Sequence, residues 1–218
     1  MAEKIGRQTY KVNGAGIVGW AAAAGPKEQQ GPLGKCFDIC FDDVLFGQKT
    51  FEQAESRMQK AVLDKALTKA GIPAAGIDLV LAGDLLNQCT GSSFGLKDFG
   101  IPFLGMYGAC STSALTLGTA AMLIDGGGAK TAAAVTSSHF CASERQYRFP
   151  LEYGSVRTPT AQWTVTGAGA FILGKTGSIR IDKVTFGKIE DFEVKDANNM
   201  GAAMAPVSVK LRPYPIRN

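Results

Sequence analysis

The sequence predicts an α/β protein with a mixed, mostly parallel β-sheet and a buried central helix. Strand-like and helix-like segments alternate along the 218 residues. The strand-like segments are continuous apolar runs, which a parallel sheet covered on both faces requires. One helix-like segment, residues 111–128, is apolar or small on nearly every side, as a buried helix should be.

The segment 50–71, TFEQAESRMQKAVLDKALTKAG, is the predicted helix with the clearest ends. Thr50 as N-cap and Gln53 three residues later form a capping box, and Gly71 followed by Pro73 stops the helix. One apolar stripe runs along it at helical spacing, formed by Phe51, Ala54, Met58, Val62 and Ala66.

The predicted strands are short apolar segments bounded by small or polar residues. Four of them precede the polar loop at 140–160, and the last two are expected to form an antiparallel hairpin through a turn around Thr176 and Gly177. In chain order the six strands are VNGAGIVGWAA (12–22), IDLVLAGD (77–84), FLGMYGA (103–109), KTAAAVTSSH (130–139), AQWTVTGAGAFILGK (161–175) and SIRIDKVTFGK (178–188).

Composition and charge argue against several classes of protein. The net charge of +4 is spread without a basic block, so no nucleic-acid partner is expected. The weakly polar run at 14–25 is too short for a bilayer span and the N-terminus lacks an export signal, which favours the cytoplasm. Five cysteines at irregular spacing and a single histidine predict neither a disulfide framework nor a metal site, and no cofactor is expected.

Three consecutive strand-like segments lead into residues capable of chemistry. The first ends at Asp84, Cys110 follows the second, and the third ends in two serines, including Ser137, before His139. The carboxyl ends of parallel strands meet at one edge of a sheet, where ligands bind. The sequence therefore predicts a ligand pocket at this edge.

Each of these residues also admits an ordinary structural interpretation. Cys110 and Ser111 lie at a helix start, where the helix dipole favours a thiolate and backbone N–H groups bind anions, but a small buried cysteine is equally compatible. His139 is a pocket residue or a satisfied core histidine. Asp84 orients that histidine, or it caps the next turn at the protein surface.

The loop 140–160 adds cationic and aromatic side chains. Arginine matches carboxylates with two parallel hydrogen bonds, and aromatic faces stack on flat rings. An anionic planar ligand would suit Arg145, Arg148 and Arg157 if the loop covers the pocket; otherwise these arginines keep a surface loop soluble.

Two segments carry a resemblance to a known family: GMYGACSTSALTLGTAAMLIDGG (105–127) and AAAVTSSHFCASERQYRFPLEYG (132–154). They are similar to the stage V sporulation protein AD family of spore-forming Firmicutes, in the thiolase-like superfamily. The resemblance runs from about residue 10 to about residue 206. It implies the N-terminal half of a duplicated thiolase-like fold, with Cys110 in the place of the superfamily's nucleophilic cysteine.

The resemblance also implies a role. The family handles dipicolinic acid, a flat and doubly anionic ligand, for the spore core, together with membrane proteins of the same operon. It implies a protein in the cytoplasm or peripheral at the spore inner membrane. A second copy of the chain is a further candidate partner.

The end of the sequence departs from the family's pattern. A helix beginning at GAAMAP (201–206) should continue, but prolines at 206, 213 and 215 without an apolar period cannot sustain it. We therefore expect a C-terminally truncated form, with a thiolase-like half over 1–206 and a non-native or disordered tail over 207–218. The polar partners that thiolases take from their second half would then be missing.

Three functional hypotheses follow. The first is non-enzymatic binding of dipicolinic acid, with Asp84, Cys110, Ser111, Ser137, His139, Arg145 and Arg148 around the ligand. The second is an acyltransferase or condensing enzyme with Cys110 as nucleophile, which needs a nearby base. The third is a scaffold protein with a vestigial pocket, since half of a two-half fold exposes an apolar face.

Overall fold

The computed structural model describes residues 1–147, 164–195, 199, 201–202 and 204–206, with the backbone course alone for 144–147. Four α-helices and ten strands lie in the described residues up to 195. The helices are α1 (Phe51–Ala70), α2 (Thr90–Leu96), α3 (Thr112–Asp125) and α4 (Phe140–Tyr147). The strands are β1 (Glu3–Lys4), β2 (Thr9–Lys11), β3 (Gly16–Ala24), β4 (Ile39–Cys40), β5 (Leu79–Gly83), β6 (Phe103–Gly105), β7 (Thr131–Ser138), β8 (Gly167–Gly174), β9 (Ile179–Arg180) and β10 (Lys183–Thr185).

The main sheet has the strand order β4-β3-β8-β7-β5-β6, and β9 pairs with β3 beside this path. Strand β8 is antiparallel to both β3 and β7, whereas β4 is parallel to β3, and β7, β5 and β6 are parallel to one another. Strands β3 to β7 therefore run in one direction and β8 and β9 in the other. This arrangement confirms the predicted mixed, mostly parallel sheet.

The predicted hairpin between 161–175 and 178–188 is wrong. Strands β8 and β9 both pair with β3 rather than with each other, and β10 joins β1 and β2 in a small separate sheet. The reason lies in the free edge of β3: β4 covers only its end at Ala23 and Ala24, so β9 pairs at Gly16 and Ile17. A Cβ atom at Gly16 would lie 2.9 Å from the Gly177 nitrogen, so this crossing requires glycine.

Helix α1 forms as predicted and packs on one face of the sheet. The Thr50 side chain accepts a hydrogen bond from the Gln53 backbone N–H at 3.2 Å, and Gly71 ends the helix with a left-handed φ of 66°. The Gln53 side chain accepts from the Lys49 backbone N–H, one residue before the N-cap, so the capping box is shifted by one position. Most of the predicted stripe is fully buried: Ala54, Met58, Val62 and Ala66.

Helix α3 packs on the opposite face of the sheet, where Ala120, Ala121 and Ile124 are buried. The prediction that it is buried on all sides is wrong for this chain. Ser113 and Ala114 are exposed, because within the described ranges nothing covers the outer face of the first turns of α3.

Strand β6 is also more open than predicted. The segment 103–109 is a strand only over Phe103–Gly105, and β5 is its single strand neighbour in the described structure. Phe103 and Leu104 are both 41% exposed, so this is an edge strand rather than one covered on both faces. No helix among the described residues is long and apolar enough to cross a membrane.

Gly83, the last residue of β5, allows the chain after β6 to pass close to the sheet. A Cβ atom there would clash with the Met106 carbonyl oxygen and would lie 2.5 Å from the Thr112 side chain. Gly83→Ala should therefore lower the free energy of unfolding by about 1–3 kcal/mol, measured by urea denaturation followed by circular dichroism.

The matched control is Gly169→Ala in β8, where a Cβ would meet nothing within 4 Å. This variant should stay within about 0.5 kcal/mol of the parent protein. Equal unfolding midpoints for the two variants would contradict the close approach at Gly83.

Candidate functional site

One edge of the sheet holds five of the predicted site residues: Asp84, Cys110, Ser111, Ser137 and His139. Strands β7, β5 and β6 are parallel neighbours, so the residues that follow their carboxyl ends meet at the same edge. Asp84 follows β5, the segment leading to Cys110 follows β6, and Ser137 and His139 lie at the end of β7. This grouping confirms the positional argument made from sequence, while ligand contact by these residues stays a prediction.

Cys110 is exposed in a single 3-10 turn, Ala109–Ser111, directly before α3. The turn is held from within: Thr112 Oγ1 accepts from the Gly108 N–H at 3.0 Å and donates to the Ala109 carbonyl at 2.8 Å. The Ser111 hydroxyl donates to the Gly108 carbonyl at 2.6 Å, and Ala109 has a left-handed φ of 46°. The thiol lies at the helix start as predicted, and the interpretation as a buried core cysteine is wrong for this chain.

Asp84 is buried and closes the loop that follows β5. Its Oδ1 accepts from the Leu86 N–H at 2.8 Å, and its Oδ2 accepts from the Ser92 N–H at 2.7 Å and the Ser92 hydroxyl at 2.6 Å. This is the turn-capping interpretation, except that the carboxylate is 1% exposed rather than at the surface. The loop it closes holds Gln88 and Cys89 at positive φ, a conformation that costs non-glycine residues energy.

Ser137 belongs to a buried polar cluster between the end of β7 and α1. Its hydroxyl donates to Glu55 Oε1 at 2.8 Å and accepts from Gln59 Nε2 at 2.7 Å. Gln59 Nε2 also donates to Ser92 Oγ at 2.9 Å, so the cluster continues to Asp84. Burial raises the pKa of the Glu55 carboxyl to about 8; the hydrogen bond from Ser137 opposes this shift, and the nearby charges of Asp84 and Glu52 add to it.

Glu55 and Gln59 were not among the residues predicted from the sequence. Both are fully buried on α1, one turn apart, on the same side as Ala54 and Met58. The sequence does contain a signal for this cluster, which is a polar pair at i and i+4 next to the apolar stripe. Polar side chains at such positions are buried only where hydrogen-bond partners are available.

His139 is enclosed and hydrogen-bonded to the backbone. Its Nε2 lies 2.7 Å from the Val44 carbonyl oxygen and its Nδ1 accepts from the Cys141 N–H at 3.2 Å, which assigns the neutral tautomer protonated at Nε2. The rings of Phe46, Phe51 and Phe140 pack around it, with centroids 5.3–5.7 Å from the imidazole. These are the contacts of a satisfied core histidine.

The cationic part of the predicted site cannot be placed. Arg145 belongs to α4, but its side chain is not described, and Arg148 and Arg157 lie outside the described residues, as does the tail 207–218. In the described part of the chain, no group of three or more His, Cys, Asp or Glu side chains is arranged to hold a metal ion.

Comparison with known proteins shows both the family and the fold. The family described as Stage V sporulation protein AD (SpoVAD) matches residues 6–212. The stage V sporulation protein AD of Bacillus subtilis (strain 168) is 45% identical over 210 residues, which are 93% of this chain and 61% of that protein. The chain thus spans less than two thirds of this relative's length.

Solved structures share the fold at low sequence identity. Two crystal structures of OleA from Xanthomonas campestris match with a TM-score of 0.51 at 18% and 16% identity; they cover 76% of this chain and 57% and 59% of OleA. These matches show that the α/β architecture of this chain, with its mixed sheet, is a thiolase-like fold. The chain therefore belongs to the stage V sporulation protein AD family of sporulation proteins and has the thiolase-like fold.

Proposed function

We propose that this chain is part of a non-enzymatic protein that binds dipicolinic acid for its uptake into the developing spore. The observation that carries the proposal is the exposed Cys110 at the start of α3, beside the carboxyl ends of β5 and β7. A helix start favours anions, and dipicolinate presents two carboxylates on a flat ring. Cys110 and Ser111 form the wall of the site in this proposal, and Arg145 or Arg148 pairs with a carboxylate.

The surroundings of His139 support binding rather than acyl transfer. A thiol nucleophile needs a base that can take or share its proton. Both ring nitrogens of His139, the single histidine of the chain, are engaged by backbone groups, at Val44 and Cys141. Asp84 was the candidate for orienting that base, but both of its carboxylate oxygens accept hydrogen bonds from Leu86 and Ser92.

Dipicolinate binding is tested by calorimetric titration of this chain and of the longer Bacillus subtilis relative. Benzene-1,3-dicarboxylate, which lacks the ring nitrogen, is the control ligand. Cys110→Trp should weaken binding more than tenfold, because the indole would occupy the space that the ligand takes beside residue 110. A tenfold loss corresponds to about 1.4 kcal/mol of binding free energy. Cys36→Trp, which replaces another exposed cysteine, should bind like the parent protein.

Absence of dipicolinate binding by the relative would overturn the functional assignment. If both proteins bind dipicolinate but Cys110→Trp does not weaken binding, the site does not include Cys110.

The rival function is acyl transfer, which the exposed thiol at a helix start favours. If our proposal is right, iodoacetamide will alkylate Cys110 while incubation with acyl-coenzyme A leaves no adduct there, as read by intact-protein and peptide mass spectrometry. An acyl adduct that disappears in Cys110→Ala would establish the enzymatic alternative.

The proposal includes partners: membrane proteins of the same operon and a second copy of the chain. The open edge of β6 supports the second copy, because unpaired strand edges readily add a strand. Leu104→Asp should convert a dimer into a monomer in size-exclusion chromatography with light scattering. Leu33→Asp changes another exposed leucine, 66% accessible, and should leave the mass unchanged; a monomeric parent protein would contradict this part of the proposal.

A further inference from the structure

Glu55 and Gln59 form an unusual buried pair on α1. Both side chains are fully inaccessible to solvent, and each has one oxygen without a hydrogen-bond partner: Oε2 of Glu55 and Oε1 of Gln59. An ionised carboxylate and an amide oxygen are both acceptors only, so as they stand these two atoms cannot satisfy each other. Leaving both unpaired inside the protein would be costly.

The two side chains converge on a single atom. Ser137 Oγ lies 2.8 Å from Glu55 Oε1 and 2.7 Å from Gln59 Nε2. A hydroxyl has one proton to donate, which goes to the Glu55 oxygen, and it accepts the amide proton of Gln59. Two of the three sides of a hydrogen-bonded ring are therefore in place, and residues four apart on a helix are neighbours on its surface.

We infer that Glu55 is held as the neutral acid and donates its proton from Oε2 to Gln59 Oε1, closing a ring of three hydrogen bonds that fastens α1 to the end of β7. The proton supplies the donor that the two unpartnered oxygens lack. In the closed ring Glu55 donates to Gln59, Gln59 donates to Ser137, and Ser137 donates to Glu55.

The charges around Glu55 favour the neutral form. Asp84 at the end of β5 and Glu52 on α1 itself are both acidic, and β3, β7, β8 and α2, which pack on α1, contain no charged residue. His139, which precedes α4, contacts Phe51 one turn before Glu55 and is neutral in its assigned tautomer. Helix α4 carries Glu144 and Arg145, whose side chains are not among those described.

The ring makes the contact between α1 and the end of β7 sensitive to pH. Loss of the proton sets a carboxylate against the Gln59 oxygen and opens the contact between α1 and the carboxyl ends of β5 and β7. A pKa of about 8 for Glu55, raised by burial, puts this opening in the mildly alkaline range. The folded pKa lies above the ordinary value of 4.5, so this part of the stability is fully present below about pH 4.5 and is lost as the pH rises toward 8.

Glu55→Gln tests the ring, because an amide can donate to Gln59 and accept from Ser137 without a titrating proton. Unfolding by urea would be measured from pH 5 to pH 8 for the parent protein and the variant. The ratio of their unfolding constants, parent over variant, should rise about tenfold per pH unit over this range. Asp64→Asn, which removes an exposed carboxylate from the same helix, should keep the pH dependence of the parent.

A direct measurement keeps the inference testable if a variant folds poorly. In the parent protein labelled with ¹³C at glutamate side-chain carboxyls, one resonance should titrate near pH 8, and it should be absent from Glu55→Gln. Parallel stability curves for parent and variant, or glutamate resonances that all titrate near their ordinary pH, would overturn the inference.

Discussion

Burial of the main sheet on both faces is the constraint on which the rest of the structure depends. Along β7, Ala133 and Val135 belong to the core under α1, whereas Ala132 and Ala134 belong to the core under α3. Strand β5 alternates in the same way, with Val80 and Ala82 on one side and Leu81 on the other; β8 does likewise through Ile172 and Leu173. Small residues let both helices approach closely, which places the start of α3 beside the strand ends.

This constraint explains what the sequence could predict. Two-sided burial produces continuous apolar runs, so β5 and β7 were identifiable, and local hydrogen bonds mark the ends of α1 at Thr50 and Gly71. Pairing of β9 with β3 was not predictable, because it depends on how far β4 covers the edge of β3. The exposed outer face of α3 was missed for a similar reason: small residues on every side indicate close packing but not whether a partner is present.

The site shows the same division between local and distant causes. The order of the segments predicted that the site residues lie at the strand ends. It did not predict which hydrogen-bond partners their side chains have. His139 bonds to Val44 across 95 residues, and Ser137 bonds to Glu55 across 82. Both contacts join loops or helices whose approach depends on the whole sheet. The sequence therefore left the role of His139 open and predicted a ligand contact for Ser137 rather than a place in the buried polar cluster with Glu55 and Gln59.

The Cys110 turn and the carboxyl end of β7 are held by different interactions. Cys110 is positioned by hydrogen bonds within 108–112 and by the passage of this segment over Gly83. The carboxyl end of β7 is joined to α1 by Glu55, Gln59 and Ser137 and, through Ser92, to the loop closed by Asp84. Within the described residues, the hydrogen bonds that hold the Cys110 turn come from residues 108–112 and not from α1, so opening of the contact at Glu55 at alkaline pH would remove none of them. A change at Glu55 and a change at Cys110 should therefore affect the free energy of unfolding additively, because the two residues share no hydrogen-bond partner within the described residues.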